Sequence, residues 1–284
     1  MTSFTAACVQ LRSSKSIHEN TKTAKELIRA AAKDGADFIQ TPEMSNILVR
    51  SREELFDNIG DAAADPFVAM ARLEAADLGV YLHLGSLAVL TDSGKVANRS
   101  YLIAPDGEVR ATYDKIHMFD VDLLNGESWR ESATYEPGEN SPVVELLNVK
   151  FGMAICYDIR FPALFRSQSK LGAEILTSPA AFTRQTGEAH WHVLQRARAI
   201  ENGAYVISAA QGGVHEDGRE TYGHSLVVDP WGVVIAELDH NEPGYVLAEV
   251  DTENVAKARA RIPAIKNERE FTCRIVDGPK EIPA

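Results

Sequence analysis

Three residues of this chain would form an acyl-transfer set if the fold brought them together: the carboxylate of Glu43, the ammonium of Lys115 and the thiol of Cys156. A thiol becomes a strong nucleophile once a base takes its proton, and a carboxylate can be that base. An ammonium beside them holds a developing oxyanion. Each residue follows an expected strand, and strand ends of α/β layers gather at one rim where ligands bind. Taken singly, each also has an ordinary use: Cys156 as a small core hydrophobe, Glu43 as a first-turn carboxylate on a helix dipole, Lys115 as a solvated strand end. Their combination with Tyr157-Asp158 and an expected following helix favours chemistry, because free helix N–H groups stabilise a thiolate and a nearby oxyanion.

The elements that must position these groups show up as a repeat. Gly35-Ala-Asp-Phe-Ile-Gln-Thr-Pro-Glu43 is echoed by Gly172-Ala-Glu-Ile-Leu-Thr-Ser-Pro-Ala180, and only the first copy ends in a carboxylate. Each copy starts at a helix-stopping Gly and ends at a Pro that cannot continue a ladder. The stretch from Ser100 to Ala111 recurs from Ser225 to Ala236 in the same way. Two halves on one β-α-β-α-β-β-β plan are therefore expected. Each buries a mostly apolar sheet, and the two stack as a four-layer α-β-β-α sandwich of the α/β class. The halves share one core, so residues 1–284 read as a single domain, with 257–284 a basic tail suited to an oligomer contact.

Local patterns fill in the plan. Phe4 to Gln10 reads as a strand, and Ala24, Leu27, Ile28 and Ala31 fall on one face of the next helix. Asp65-Pro66 caps another helix that Gly79 stops. Val80 to Leu90, Val96 to Ala104 and Glu108 to Tyr113 read as strands. His117 to Pro142 reads as a long loop over a pocket. In the second half a strand from Lys150 to Cys156 and a helix from Phe161 to Leu171 are expected. A further helix from Glu188 to Asn202 is expected to bury Val193, Ala197 and Ile200 and to turn Arg196 and Arg198 elsewhere.

Composition narrows the function. The chain of 284 residues carries a formal net charge of -12, which disfavours a nucleic-acid or anionic-membrane partner. Hydrophobic residues at 45% allow a sizeable core. Cys8, Cys156 and Cys273 are scattered, with no thiolate-zinc spacing and no disulfide framework, which fits a reducing cytoplasm. No leader or membrane span is read in the sequence. His190 and His192 point different ways on a helix, and Gly212-Gly213 is not followed by a phosphate-loop lysine. No metal and no cofactor are expected.

Thr41-Pro42-Glu43, Tyr113-Asp114-Lys115-Ile116-His117 and Ala154-Ile155-Cys156-Tyr157-Asp158-Ile159-Arg160-Phe161-Pro162 resemble the three signatures of the nitrilase, or carbon-nitrogen hydrolase, superfamily over nearly the whole chain. The resemblance implies an α-β-β-α fold, a Glu43-Lys115-Cys156 triad, and assembly into a homodimer or larger homo-oligomer. It also places Glu131 at the position of a second family glutamate near the lysine. The runs from Ala189 to Glu201 and from Thr221 to Gly232 resemble the deaminated-glutathione amidase branch, and omega-amidases share much of the first run.

The chemistry expected is hydrolysis of a primary carboxamide of a small acidic, glutamine-derived metabolite through a Cys156 thioester, with release of ammonia; deaminated glutathione is the first choice of substrate. Lys115 and the Tyr157 N–H would hold the oxyanion. Phe182 and Thr183 would line the acyl pocket, and Arg160 or Arg184 would meet a substrate carboxylate. An omega-amidase acting on α-ketoglutaramate, a nitrilase or a carbamoylase would use the same triad. A non-catalytic scaffold and a Cys-His peptidase are the readings from other classes.

Overall fold

The computed structural model describes residues 3–123, 126 and 128–276, and all structural statements below concern these. The first half supplies β1 (Ser3–Gln10), α1 (Ile17–Lys33), β2 (Phe38–Gln40), the short α2 (Arg52–Asn58), α3 (Pro66–Leu78), β3 (Tyr81–Leu90), β4 (Val96–Ile103) and β5 (Val109–Asp114). A small ribbon, β6 (Asp120–Asp122) with β7 (Ser128–Arg130), follows. The second half runs through β8 (Val143–Leu146), β9 (Val149–Gly152), α4 (Pro162–Lys170), β10 (Ile175–Thr177), α5 (Arg184–Asn202) and β11 (Tyr205–Ser208). A second ribbon, β12 (Gly212–Val214) with β13 (Glu220–Tyr222), precedes β14 (Leu226–Val228), β15 (Val234–Glu237), β16 (Gly244–Asp251) and α6 (Thr252–Arg261).

The repeat is visible in the pairing. One sheet has the order β16-β1-β2-β3-β4-β5, the other β15-β14-β11-β10-β9-β8. In each, three parallel strands joined by helices are extended by two antiparallel strands, and one further strand closes the opposite edge. The sheets meet through large side chains: Phe38 of the first stacks on Phe151 of the second at 5.0 Å, with Phe4 at 5.9 Å from Phe151. Burying such rings supplies much of the drive for stacking the layers. On the outer face α1 turns Ala24, Ile28 and Ala31 inward. Asp65 caps α3, accepting from the Phe67 and Val68 N–H groups, and Gly79 ends it in the left-handed region at φ 69°.

Gly85 marks where the halves touch. It lies at the irregularity between Leu84 and Leu87 in the β3–β4 pairing. A Cβ there would stand 2.1 Å from the Thr41 carbonyl oxygen, 2.5 Å from Pro179 Cβ and 2.7 Å from Pro42 C. The two prolines of the sequence repeat thus converge on one hydrogen-only position, directly before Glu43 in one copy. Gly85→Ala is expected to lower the unfolding free energy by about 3 kcal/mol, the upper end of ordinary overpacking. It should also displace Glu43, so urea denaturation and amide turnover should fall together.

Four expectations need correction. The strand before Cys156 ends at Gly152, and Cys156 opens a 3-10 turn over Cys156–Arg160 that precedes α4, the helix expected there. The His117 to Pro142 segment is not loop throughout but carries β6, β7 and a 3-10 turn over Glu131–Ala133. On α5 the buried face is Trp191, Gln195, Arg198, Ala199 and Asn202, whereas Val193 and Ile200 are 66% and 50% exposed. That face is polar and partly paired: Gln195 Oε1 accepts from the Ser208 hydroxyl at 2.8 Å, and Arg198 Nε donates to the Ile159 carbonyl at 2.9 Å. Apolar periodicity cannot detect a buried face whose polar groups have such partners. Finally, residues 257–261 belong to α6, which buries Val255 and Ala258. Of the expected tail, residues 277–284 lie outside the described ones. Among the described residues no helix is long and apolar enough to cross a membrane.

Candidate active site

Glu43, Lys115 and Cys156 arrive from three segments separated by 72 and 41 positions, and the two sheets place all three at one rim. Glu43 follows β2, held there because Gln211 Nε2 donates to its carbonyl at 2.9 Å and the Ser86 hydroxyl accepts from the Met44 N–H at 3.0 Å. Lys115 is the first residue after β5, its N–H donating to the Asn98 carbonyl at 3.0 Å. Cys156 sits in the left-handed region at φ 49°, a backbone state that costs an L-residue of order 1–3 kcal/mol. Its N–H donates to the Pro179 carbonyl at 2.9 Å. The turn it opens is pinned by Asp158, whose Oδ2 accepts from the Ile155 N–H at 2.9 Å and the Tyr113 hydroxyl at 2.7 Å. The Tyr157 N–H, next at the start of the turn, has no acceptor inside it.

The polar contacts form a closed set. Lys115 Nζ donates to Glu43 Oε1 at 3.0 Å and to Glu131 Oε1 and Oε2 at 3.0 and 2.9 Å. Asn98 Nδ2 donates to Glu43 Oε1 at 2.8 Å and to Glu131 Oε1 at 3.2 Å. The Ala181 N–H donates to Glu43 Oε2 at 2.8 Å, and the Phe119 N–H donates to Glu131 Oε2 at 2.6 Å. The Cys156 thiol lies close enough to Glu43 that each shifts the other's titration. Side chains of Lys115 and Glu43 are only 2% and 6% exposed.

These contacts set the resting charges. Burial pushes the Glu43 carboxyl up, but the Lys115 ammonium and hydrogen bonds from Cys156, Asn98 and Lys115 outweigh it and leave it below its ordinary value. Burial pushes Lys115 down, yet Glu131 and Glu43 carry it well above its ordinary value. Burial and the Glu43 charge together hold the Cys156 thiol well above its ordinary value, against the smaller opposing pull of Lys115 and the Ala181 N–H. The set therefore rests as carboxylate, ammonium and protonated thiol, and it titrates as a unit. The thiolate that a following helix would favour is not the resting form.

A cavity of about 330 Å³ opens over the three residues. Glu131, Tyr157, Phe182 and Thr183 all line it, as does Arg160, whose guanidinium lies 5.4 Å from the Phe182 ring and 5.9 Å from the Tyr157 ring. Phe182 also packs on Trp191 at 5.0 Å, and Thr183 caps α5 by accepting from the Thr186 N–H, so both have structural duties besides lining the cavity. Arg184 is not among the lining residues; it is exposed and paired with Glu188 and Glu220. Sequence reasoning missed Asn98, Trp129, Tyr135, Gln211 and Arg219. Asn98 and Gln211 were detectable as amides inside or beside apolar strands, because a buried amide needs partners.

The comparisons with known proteins agree with this arrangement of layers. The family described as Carbon-nitrogen hydrolase matches residues 5–260. A Synechocystis protein named deaminated glutathione amidase is 37% identical over 269 residues, covering 94% of this chain and 98% of its own. The crystal structure of the C. elegans NitFhit protein superposes with a TM-score of 0.88 at 34% identity, covering 95% of this chain and 66% of that longer chain. The structure of Saccharomyces cerevisiae Nit3, a member of branch 10 of the nitrilase superfamily, gives a TM-score of 0.85 at 29% identity, covering 95% and 97%.

Proposed function

Because the chain belongs to the carbon-nitrogen hydrolase family, we propose that it is a thiol amidase working through Glu43, Lys115 and Cys156, with deaminated glutathione as its substrate. One observation carries this reading: a buried carboxylate lies 3.0 Å from an ammonium, and both share an open cavity with a thiol. The name shared by relatives at this identity supports the substrate.

In the first step Glu43 takes the thiol proton as sulfur attacks the amide carbon. The oxyanion is held by the Lys115 ammonium and the Tyr157 N–H. Glu43 returns the proton to the departing nitrogen, the C–N bond breaks, and a Cys156 thioester remains. Water then enters, gives a proton to Glu43 and attacks the thioester carbon. The acid leaves and the thiol is restored. Proton transfers of this kind contribute roughly 10²–10⁴ in rate. Glu131, which receives both Lys115 contacts and the Phe119 N–H, keeps the ammonium aimed at Glu43 and the cavity.

The leaving group follows from the substrate. A primary carboxamide releases ammonia, but in deaminated glutathione the scissile carbonyl is joined to the amino group of cysteinylglycine. For that substrate, cysteinylglycine leaves, not the ammonia expected from the sequence. The test is steady-state hydrolysis of deaminated glutathione and of α-ketoglutaramate by the purified protein. A kcat/KM higher for the first by tenfold or more supports the reading, and the reverse order makes the protein an omega-amidase.

The enzyme is also proposed to be cytoplasmic and to work as a homodimer or larger homo-oligomer, with no nucleic-acid or membrane partner. Support comes from three cysteines that form no disulfide, and from exposed apolar side chains that a second copy would cover. These are Val193 and Ile200 on α5, Trp231 beyond β14, and Phe271 in the C-terminal segment.

A further inference from the structure

The segments around Lys115 and Cys156 bring together polar side chains that the mechanism does not use: Tyr113, His117 and Asp158. The Asp158 carboxylate is fully buried and accepts from both segments. Its Oδ2 accepts from the Ile155 N–H at 2.9 Å and from the Tyr113 hydroxyl at 2.7 Å. Its Oδ1 accepts from the His117 N–H at 3.1 Å and from His117 Nδ1 at 2.7 Å. A carboxylate has no proton to give, so Nδ1 carries the hydrogen of that last bond. The Tyr113 hydroxyl in turn accepts from the Ile116 N–H at 3.3 Å. The His117 ring lies flat on Phe161 at 3.5 Å, and Phe161 ends the turn that Cys156 opens, its N–H donating to the Asp158 carbonyl at 2.9 Å.

The places of these residues in the chain give the contacts their meaning. Asp158 stands two residues after the nucleophile and holds the residue just before it, while Tyr113 and His117 stand two residues on either side of Lys115. One carboxylate thus fastens both flanks of the ammonium's segment to both flanks of Cys156. The turn needs such fastening, because Cys156 is held at φ 49° and a strained backbone persists only where its surroundings enforce it. Short bonds to a buried carboxylate are among the stronger ones available for this. Neither His117 nor Asp158 is among the residues lining the cavity, so an effect of either on rate passes through Lys115 and Cys156.

We propose that His117 is a positioning residue for amide hydrolysis: its Nδ1–H bond to Asp158 ties the Lys115 segment to the Cys156 turn and so keeps ammonium and sulfur in register. This rests on the thiol-amidase reading and deepens it. The donor, and not the packing of the ring on Phe161, is what catalysis requires of His117.

Two substitutions separate donor from ring. His117→Phe keeps a flat ring over Phe161 and offers Asp158 no side-chain donor, whereas His117→Asn gives up the ring and places an amide N–H where Nδ1 stood. With deaminated glutathione and α-ketoglutaramate as substrates, His117→Phe should lower kcat/KM about 10- to 100-fold, the size of effect a misplacement of about 1 Å produces. His117→Asn should stay within about threefold of the unsubstituted enzyme, since the bond is kept. Circular dichroism and urea midpoints establish that each variant is folded. Undiminished turnover by His117→Phe, or a loss in His117→Asn as large as in His117→Phe, would overturn the proposal, the latter because ring packing would then be the contribution. If His117→Phe does not fold, His117→Ala takes its place, removing ring and donor together: a loss at least about tenfold greater than that of His117→Asn supports the proposal, and a smaller difference overturns it. Hydrolysis of neither substrate by the unsubstituted enzyme would instead sink the amidase reading, so the two failures are distinct.

Discussion

Cys156→Ala is expected to lose amide turnover by about 10⁴-fold or more while keeping its fold, because removing the nucleophile eliminates the covalent route entirely. The side chain is small, and its backbone is held by the Cys156 N–H bond to Pro179 and by Asp158 rather than by sulfur. Circular dichroism and the urea midpoint should therefore stay near those of the unsubstituted protein as activity vanishes. The pH behaviour of the thiol is a companion result. Burial and the Glu43 carboxylate keep it protonated at rest. Alkylation of the free enzyme by iodoacetamide should then keep rising with pH past the ordinary thiol range near about 8.5. Activity surviving the alanine change would rule out Cys156 as the nucleophile.

Lys115→Met should be the most damaging single change, costing both activity and stability. Lys115 neutralises two carboxylates at 3.0 and 2.9 Å in a nearly closed site. Removing one member of such a buried set costs about 3–5 kcal/mol, since the remaining charges are left uncompensated. Loss of the oxyanion partner should remove roughly a further 10²–10³ in kcat. The sign of the pH dependence separates this from generic damage. With Lys115 present, Glu43 has a depressed pKa, so its contribution to stability is in place above the ordinary glutamate value near about 4.3 and fades as pH falls through the folded value. Without Lys115, Glu43 and Glu131 face each other, and one of them must take up a proton to stay buried. The stability deficit of Lys115→Met should therefore shrink as pH is lowered from 7 toward 5. Urea unfolding at several pH values measures it, and a deficit that stays constant or grows would show that the charge pair is not its source.

Much of the frame was legible because the repeat is written in residues with backbone meaning. Gly35 and Gly172 stop helices, Pro42 and Pro179 stop ladders, and both sheets follow the same order. The rim position of Glu43, Lys115 and Cys156 followed from that frame. What escaped depends on partners remote in sequence. The inner face of α5 could not be read, since Gln195 and Arg198 are buried by bonds to Ser208 and Ile159. The 3-10 turn at Cys156 could not be read either, because the positive φ of that residue is imposed by Pro179 and Asp158 and is not a preference of cysteine. Arg219 and Trp129 lie in no motif of the sequence, and only the closure of two ribbons brings them to one wall.

In this mechanism the sulfur of Cys156 carries the acyl group between the two steps. Glu43→Gln removes the acceptor that both steps use, but it also removes the charge that holds the Cys156 thiol protonated beside Lys115, so the thiol attacks more readily than water does, deacylation is slowed more than acylation, and the acyl-enzyme should accumulate. The deciding measurement is acid-quenched mass spectrometry of Glu43→Gln mixed with deaminated glutathione, followed by peptide mapping. The expected product is a thioester of the 2-oxo acid on the peptide containing Cys156, with cysteinylglycine released in equal amount. Product formation without any adduct, or an acyl group mapped to a different residue, would contradict it.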